Sequence, residues 1–300
     1  MLGPRHQRVQ RLRRLVRQRT TRRSDGAFVA EGVKVLGAAL DARAPVEAVY
    51  YSSEAAGAPG ALDVVERARE GGVRVFALQR GVVERVADAV SPQPVLGVVG
   101  NVDRPLREVL ARAPSGAPLV VCVDVRDPGN LGAIVRVADA AGACGVVCCD
   151  TCADVFNPKA VRASAGSLFH VPVVVDVGAA DVLRVLRDAG YRCVAAVAHG
   201  GEDYAAAELG DRVALVLGNE AHGLDDVLLA ALDARVSIPM AGGAESLNVA
   251  IAAAVVSFEL ARRHRLGPGG SDAGTGGPAG GAPGGVVRSG GEPSADEPVR

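Results

Sequence analysis

The sequence predicts an α/β protein, a small α/β domain followed by an open parallel sheet with crossover helices, and three observations predict it. Hydrophobic residues make up 49% of the 300 residues, yet aromatics are only 3% and tryptophan is absent. The core must therefore be built from Val, Ala, Leu and Ile, whose β-branched share favours strands. Strand-like and helix-like patterns alternate along most of the chain. In its second half the strand candidates are near-continuous apolar runs, as parallel strands buried on both faces require.

Residues 1–23 hold nine arginines and no acid, and Val9, Leu12 and Val16 recur at helical spacing. This predicts an amphipathic basic helix from about Arg5 to Arg19. AFVAE (27–31) is a strand candidate followed by a helix to about Asp41. VEAVYYS (46–52) and VRVFAL (73–78) are strands, with helices around Asp63–Glu70 and through Val86. VLGVVGNV (95–102) closes a first domain over residues 1–102. The charged, proline-punctuated stretch 103–117 reads as a linker containing a short helix. Strand candidates then follow at 119–125, 144–149, 171–177, 192–198, 212–218 and 235–240. Helical patterns fill 130–141, 179–189 and 224–232, and a last helix runs from about Ser246 to His264. This second domain spans 118–266. Residues 267–300 are dominated by Gly, Pro and Ala and are expected to be disordered.

Composition excludes several classes. No apolar segment follows the arginine-rich start, so no secretory signal is expected. The longest strongly apolar stretch, Val249–Phe258, is about half of a bilayer span. Six cysteines in 300 residues do not make a disulfide scaffold. A cytoplasmic protein with no membrane role is the expectation. Lys34 and Lys159 are the only lysines among 33 basic residues, and with the net charge at −1 any basic surface must be local. No phosphate-binding GxxxxGK[ST], no GxGxxG after a strand and no GxSxG is present. Cys149 and Cys152 form a CxxC, but no second ligand pair stands at zinc spacing, so reduced core thiols and no metal are expected.

Ligands of open α/β sheets bind outside the carboxyl ends of strands, and three such loops carry polar residues a plain fold does not require. In DVRDPGNLGAIVRVADAAG (124–142), Asn130 reads as a helix cap, Leu131, Ile134, Val135 and Ala138 as the buried face, and Arg136 lies off that face. In LVLGNEAHGL (215–224), Gly218 permits close backbone approach to a ligand, and Asn219 and Glu220 stand at the strand end. In IPMAGGAESLNVAIAAAV (238–255), Ser246 reads as a cap. Asn248 at the start of an apolar helix is costly without a partner.

Together these loops resemble the three motifs of the SpoU (TrmH) branch of the SPOUT methyltransferases. NPKAVRASAGSLFHVPV (157–173) resembles the segment that family carries between its first and second motifs. RRSDGAFVAEGVKVLGAAL (22–40) resembles the start of its L30e-like RNA-substrate-binding domain. The resemblance covers about residues 5–265. It implies a C-terminal sheet threaded into a deep trefoil knot, an exception to the rule that chains are unknotted, and a homodimer whose site is completed across the interface. It also implies transfer of a methyl group from S-adenosylmethionine to a ribose 2′-hydroxyl of RNA. Ribosomal RNA is the first expectation, transfer RNA the second, and a non-catalytic RNA-binding protein on the same fold the third. By the same resemblance Asn130, Arg136, Glu220, Ser246 and Asn248 are the catalytic positions. Backbone groups near Gly218, Ile238 and Leu247 match the cofactor contacts, with Leu217 and Met240 adjacent. Arg22 and Arg23, beside the L30e-like motif, are the expected RNA contacts. An arginine with a pKa above about 12 is a poor base, so Arg136 is expected to hold phosphate and polarise the hydroxyl. Glu220 is expected to anchor Arg136 or Asn130.

Overall fold

The computed structural model describes residues 1–87 and 91–266. The predicted disorder of 267–300 therefore lies outside the described residues. Helices α1 (Gln7–Arg17) and α2 (Arg19–Asp25) lead into a first module. Its elements are β1 (Ala27–Glu31), α3 (Val33–Asp41), β2 (Val46–Tyr51), α4 (Ala61–Glu70), β3 (Arg74–Ala77), α5 (Val82–Val86) and β4 (Val95–Gly100). The second half runs α6 (Leu106–Ala111), β5 (Leu119–Cys122), α7 (Pro128–Ala140), β6 (Gly145–Cys149), α8 (Pro158–Ser164), β7 (Val173–Val177), α9 (Ala179–Asp188) and β8 (Arg192–Ala196). It ends with β9 (Glu202–Asp203), β10 (Val213–Leu217), α10 (Asp226–Ala230), β11 (Ala234–Ser237) and α11 (Val249–Leu266).

The single basic helix expected at the start is two. Gln18 takes an extended conformation and caps α1 with its own N–H to the Arg14 carbonyl, so the chain turns before Arg19. The apolar stripe of α1, Val9, Leu12, Leu15 and Val16, is buried as its spacing requires. It packs with α5 against one face of the small sheet, while α3 and α4 cover the other. That sheet has the order β1-β4-β2-β3, antiparallel except between β2 and β3.

The large sheet has the order β7-β6-β5-β10-β8-β11-β9, and every pairing in it is parallel. Alternation along β5 shows why its strands are apolar throughout. Val120 and Cys122 face a core with α7, α8 and α11; Leu119 and Val121 face a core with α6 and α9. Helices thus cover both faces. The stretch 103–117 is not a free linker, because Val109 and Ala117 are buried in that second core. The first module shares a core with the second half through Phe28, whose ring stacks 4.9 Å from Phe156 and 6.1 Å from Phe169. No helix among the described residues is long and apolar enough to cross a membrane.

Candidate active site

The loops after β5, β10 and β11 meet at the carboxyl end of the large sheet, and hydrogen bonds lace them together. Helix α7 starts with Asp127 as its cap, accepting the Asn130 N–H at 2.9 Å, and Pro128 occupies the first turn, where its missing N–H costs nothing. Asn130 is therefore not the cap that the sequence suggested. A carboxylate one turn earlier does that work, and the Asn130 side chain is left to reach outward. Its Nδ2 donates to Glu220 Oε1 at 3.0 Å, and its Oδ1 accepts from Asn248 Nδ2 at 2.9 Å. This orientation is internally forced. An ionised carboxylate only accepts, so Asn130 must turn its amide nitrogen to Glu220 and its oxygen to Asn248.

Glu220 also accepts the backbone N–H of Arg126 at 3.3 Å and of Asp127 at 3.2 Å. Partial burial works against its charge, but the Asn130 amide and those backbone donors outweigh it and hold the carboxyl below its ordinary range. Lys159 Nζ, 2.6 Å from Asp127 Oδ2, is the main cause of a similar lowering at Asp127. Glu220 thus anchors Asn130 and not Arg136.

Asn248 is the true cap of α11: its Oδ1 accepts the Ala250 N–H at 2.9 Å. The helix begins at Val249, so Ser246, expected as cap, lies in the loop, exposed and without a hydrogen-bond partner among the described residues. Arg136 is exposed on α7 and likewise unpartnered. The structure brings Asn130, Glu220 and Asn248 into contact; Arg136 and Ser246 stay outside that contact.

Of the expected cofactor positions, Leu217 and Gly218 are buried, Ile238 and Met240 are half-buried and Leu247 is exposed. A Cβ at Gly218 would stand 2.5 Å from the Gly223 carbonyl carbon. The glycine is required because the turn 219–223 folds back onto it, so the close approach is to the chain itself. Asn219 fixes that turn, accepting the N–H groups of Ala221 and His222 and donating to Asp124. From Met240 to Leu247 no backbone N–H has a partner among the described residues. These open amides stand beside the apolar side chains of Ile238, Met240 and Leu247 and are available as donors to a ligand.

Arg22 contradicts its expected role. It is 4% exposed, and its guanidinium is bound to Asp154, at 2.7 Å from Nε and 2.6 Å from Nη2, and to the Leu15 and Val16 carbonyls. It joins the two halves of the chain and is closed to RNA. Arg23 is exposed but ion-paired with Asp176. All six cysteines are buried and free, and burial pushes Cys149 up to about 12 and Cys152 up to about 11, so both remain thiols at neutral pH. Among the described residues no cluster of His, Cys, Asp and Glu has the makings of a metal site.

Sequence reasoning missed Asp127 and Lys159. The Asp-Pro pair ahead of an apolar helix was a readable start signal, and Lys159 stood out as one of two lysines in a chain that otherwise uses arginine.

The SpoU rRNA methylase family matches residues 117–258, and an MRM3-like substrate-binding domain matches residues 6–97. The 23S rRNA (guanosine(2553)-2′-O)-methyltransferase RlmP of Bacillus subtilis is 31% identical over 64% of this chain and 74% of its own length. The chain belongs to the SpoU rRNA methylase family. Other family members are longer: the mouse mitochondrial rRNA methyltransferase 3 is 31% identical, and the chain spans 41% of it. Among solved SpoU structures, the methyltransferase AviRb of Streptomyces viridochromogenes in complex with the cofactor AdoMet superposes with a TM-score of 0.79 at 30% identity. The match covers 88% of this chain and all of that one. Both the small mixed-sheet module and the parallel sheet are therefore arranged as in a SpoU enzyme.

Proposed function

We propose that the protein is an S-adenosylmethionine-dependent RNA 2′-O-ribose methyltransferase acting on ribosomal RNA, with residues 1–102 as its substrate-binding module and 118–266 as its methyl-transfer domain. The observation that carries the reading is the chain Glu220–Asn130–Asn248, which ties the three strand-end loops of a SpoU fold into one rigid rim. RlmP and the mouse enzyme, by their names, act on ribosomal RNA.

S-adenosylmethionine supplies a methyl group already activated by its sulfonium charge. The open amides of 240–247, with Leu217, Gly218, Ile238, Met240 and Leu247 around them, are the residues that would hold it. What remains for the side chains is to place the ribose hydroxyl in line and to help its proton leave. Glu220 is a poor base, because its oxygens are occupied by three donors and its charge is stabilised. Its work is to fix Asn130, which with Asn248 presents a preset amide surface to the sugar. Arg136 has no internal duty, which leaves its guanidinium free to hold the target phosphate and stabilise charge on the 2′-oxygen while the proton passes to solvent. Ser246 on the open loop is placed to close over the ribose.

Two finer readings belong here. Strand β11 lies two places from β10, yet Asn248, only a short loop later, bonds to Asn130 beyond β10, so the chain must recross the strand ends. We infer that this passage is the family's trefoil knot. Helix α11 exposes Ile251 (53%) and Phe258 (45%), seven residues apart and so on one face, and Leu247 (36%) is exposed just ahead of the helix. An apolar stripe beside the site supports a homodimer formed through α11. Sedimentation of wild type against Phe258→Asp tests it, a dimer becoming a monomer. The function itself is tested by incubating the protein with methyl-labelled S-adenosylmethionine and ribosomal or transfer RNA. Label in ribosomal RNA is expected; label in transfer RNA alone would move the substrate to that class, and no transfer to either would contradict the enzyme reading.

A further inference from the structure

The arginines of the first helices sort into two groups. One group is engaged internally: Arg8 lies over the Phe76 ring, Arg11 pairs with Asp25 and Glu47, Arg22 with Asp154, and Arg19 and Arg23 with Asp176. A second group, Arg5, Arg13 and Arg14, is exposed with no partner among the described residues, and Arg5 and Arg13 of it share one depression. Both line a groove of about 210 Å³ between α1 and α5, whose floor is Val9, Val82 and Val86. Arg85 on α5 lines the same groove, its guanidinium exposed and equally unpartnered, and Arg17 on α1 reaches its carbonyl at 3.5 Å. Among the described residues no acidic side chain lines the groove.

We propose that this α1–α5 groove, through Arg5, Arg13 and Arg85, is the surface on which the first module grips the RNA phosphate backbone. The inference rests on the reading of the protein as an RNA methyltransferase and moves the contact from Arg22 and Arg23 to a different face. Three arginines lining one groove, unpartnered among the described residues, raise a positive potential there that an anion would neutralise. Arg5 and Arg13 come from the start of the chain and Arg85 from α5, so the charge is spread along the groove's two walls, which suits a phosphate backbone better than a single ion. Fixed guanidiniums give affinity with little sequence information, leaving selection of the target nucleotide to the strand-end loops.

The test compares wild type with the triple variant Arg5→Gln, Arg13→Gln, Arg85→Gln. A charge-matched control carries Arg107→Gln, Arg184→Gln and Arg192→Gln, exposed residues of the second half. RNA affinity is measured against salt with a ribosomal RNA fragment that wild type methylates. Each lost phosphate contact flattens the dependence of log affinity on log salt by about 0.7 to 0.9, so the groove variant should lose a slope of about 2 to 3. Its S-adenosylmethionine affinity and melting temperature should stay at wild-type values, and the control should keep the wild-type slope. A groove variant with the wild-type slope, or a control that loses as much, overturns the proposal while leaving the enzyme reading intact. If wild type neither binds nor methylates RNA, the enzyme reading fails first. Should the triple variant misfold, ultraviolet crosslinking of RNA to wild type decides. Crosslinks within residues 4–13 and 82–86 support the groove, and crosslinks confined to other peptides overturn it.

Discussion

Asn248 carries two jobs that a single substitution can separate. Its oxygen caps α11 and its nitrogen orients Asn130. Asn248→Asp keeps an acceptor for the Ala250 N–H but places a carboxylate against the Asn130 oxygen. We expect the melting temperature to change little while methyl transfer falls by about a hundredfold, the usual cost of displacing a reacting group by an ångström; thermal melts and single-turnover rates on the same preparation check this. Glu220 gives the pH dependence. Its carboxyl is lowered in the folded protein, so its anchoring is complete above the unfolded value of about 4.3 and is lost as pH falls through the lower folded value. Asp127 moves the same way. Calorimetric titration should find S-adenosylmethionine affinity level from neutral pH down to about 4.5, with any weakening confined to more acid solution. A midpoint near neutrality would contradict the anchoring role. At this scale the sequence was partly legible. Polar residues at apolar strand ends and helix starts stand out, but it was the family resemblance that named Asn130, Glu220 and Asn248 as site residues. Which of them capped a helix could not be read, since Asp127 and Asn130, or Ser246 and Asn248, compete for the same position within one turn.

Among the elements, α7 and α8 set the position of the first loop. They touch so closely that a Cβ at Gly132 would stand 2.2 Å from the Ala160 carbonyl oxygen. Lys159, on the first turn of α8, then reaches Asp127 at the start of α7. Gly132→Ala should push the helices apart, lowering stability by about 1–3 kcal/mol and shifting the Asp127–Lys159 contact. A denaturant titration with unchanged midpoint would show that the contact is looser than described. Most strands and long helices were readable from apolar periodicity, including β5, β6, β7, β8 and β10 as buried parallel strands. Helix α8 was not. It is only about two turns long, and its seven residues, Pro158 to Ser164, give too few positions for a period to show. The break between α1 and α2 was hidden for another reason: Gln18 is an ordinary helix former, and the bonds that accompany the turn, from Arg22 to Asp154 and to the Leu15 and Val16 carbonyls, are tertiary or long-side-chain contacts with no local signature.

For the whole molecule, the relation of the two halves was the least legible feature, because ion pairs between distant segments leave no local pattern. Arg22 with Asp154, and Arg162 with the buried Glu31 at 2.7 Å, join the first module to the second around the Phe28–Phe156 stack. Residues 1–265 accordingly form one compact unit. Arg22→Met leaves Asp154 and two carbonyls without their donor, and breaking a largely buried pair of this kind costs about 3–5 kcal/mol. The expected result is a melting temperature lower by roughly 10 °C, and retention of the wild-type value would mean the junction is not what holds the halves. A fixed junction also sets the span between the arginine groove and the strand-end loops, so RNA held by one is presented to the other at a constant distance.

If these strand-end loops methylate a ribose hydroxyl, the chemistry of the product shows it. Ribosomal RNA labelled by the protein from methyl-labelled S-adenosylmethionine is hydrolysed with alkali, which cannot cleave next to a 2′-O-methylated ribose. Label is expected in alkali-resistant dinucleotides, and none from an Arg136→Ala protein that still folds and still binds the cofactor. Label released as mononucleotides would place the methyl group on a base and contradict ribose methylation.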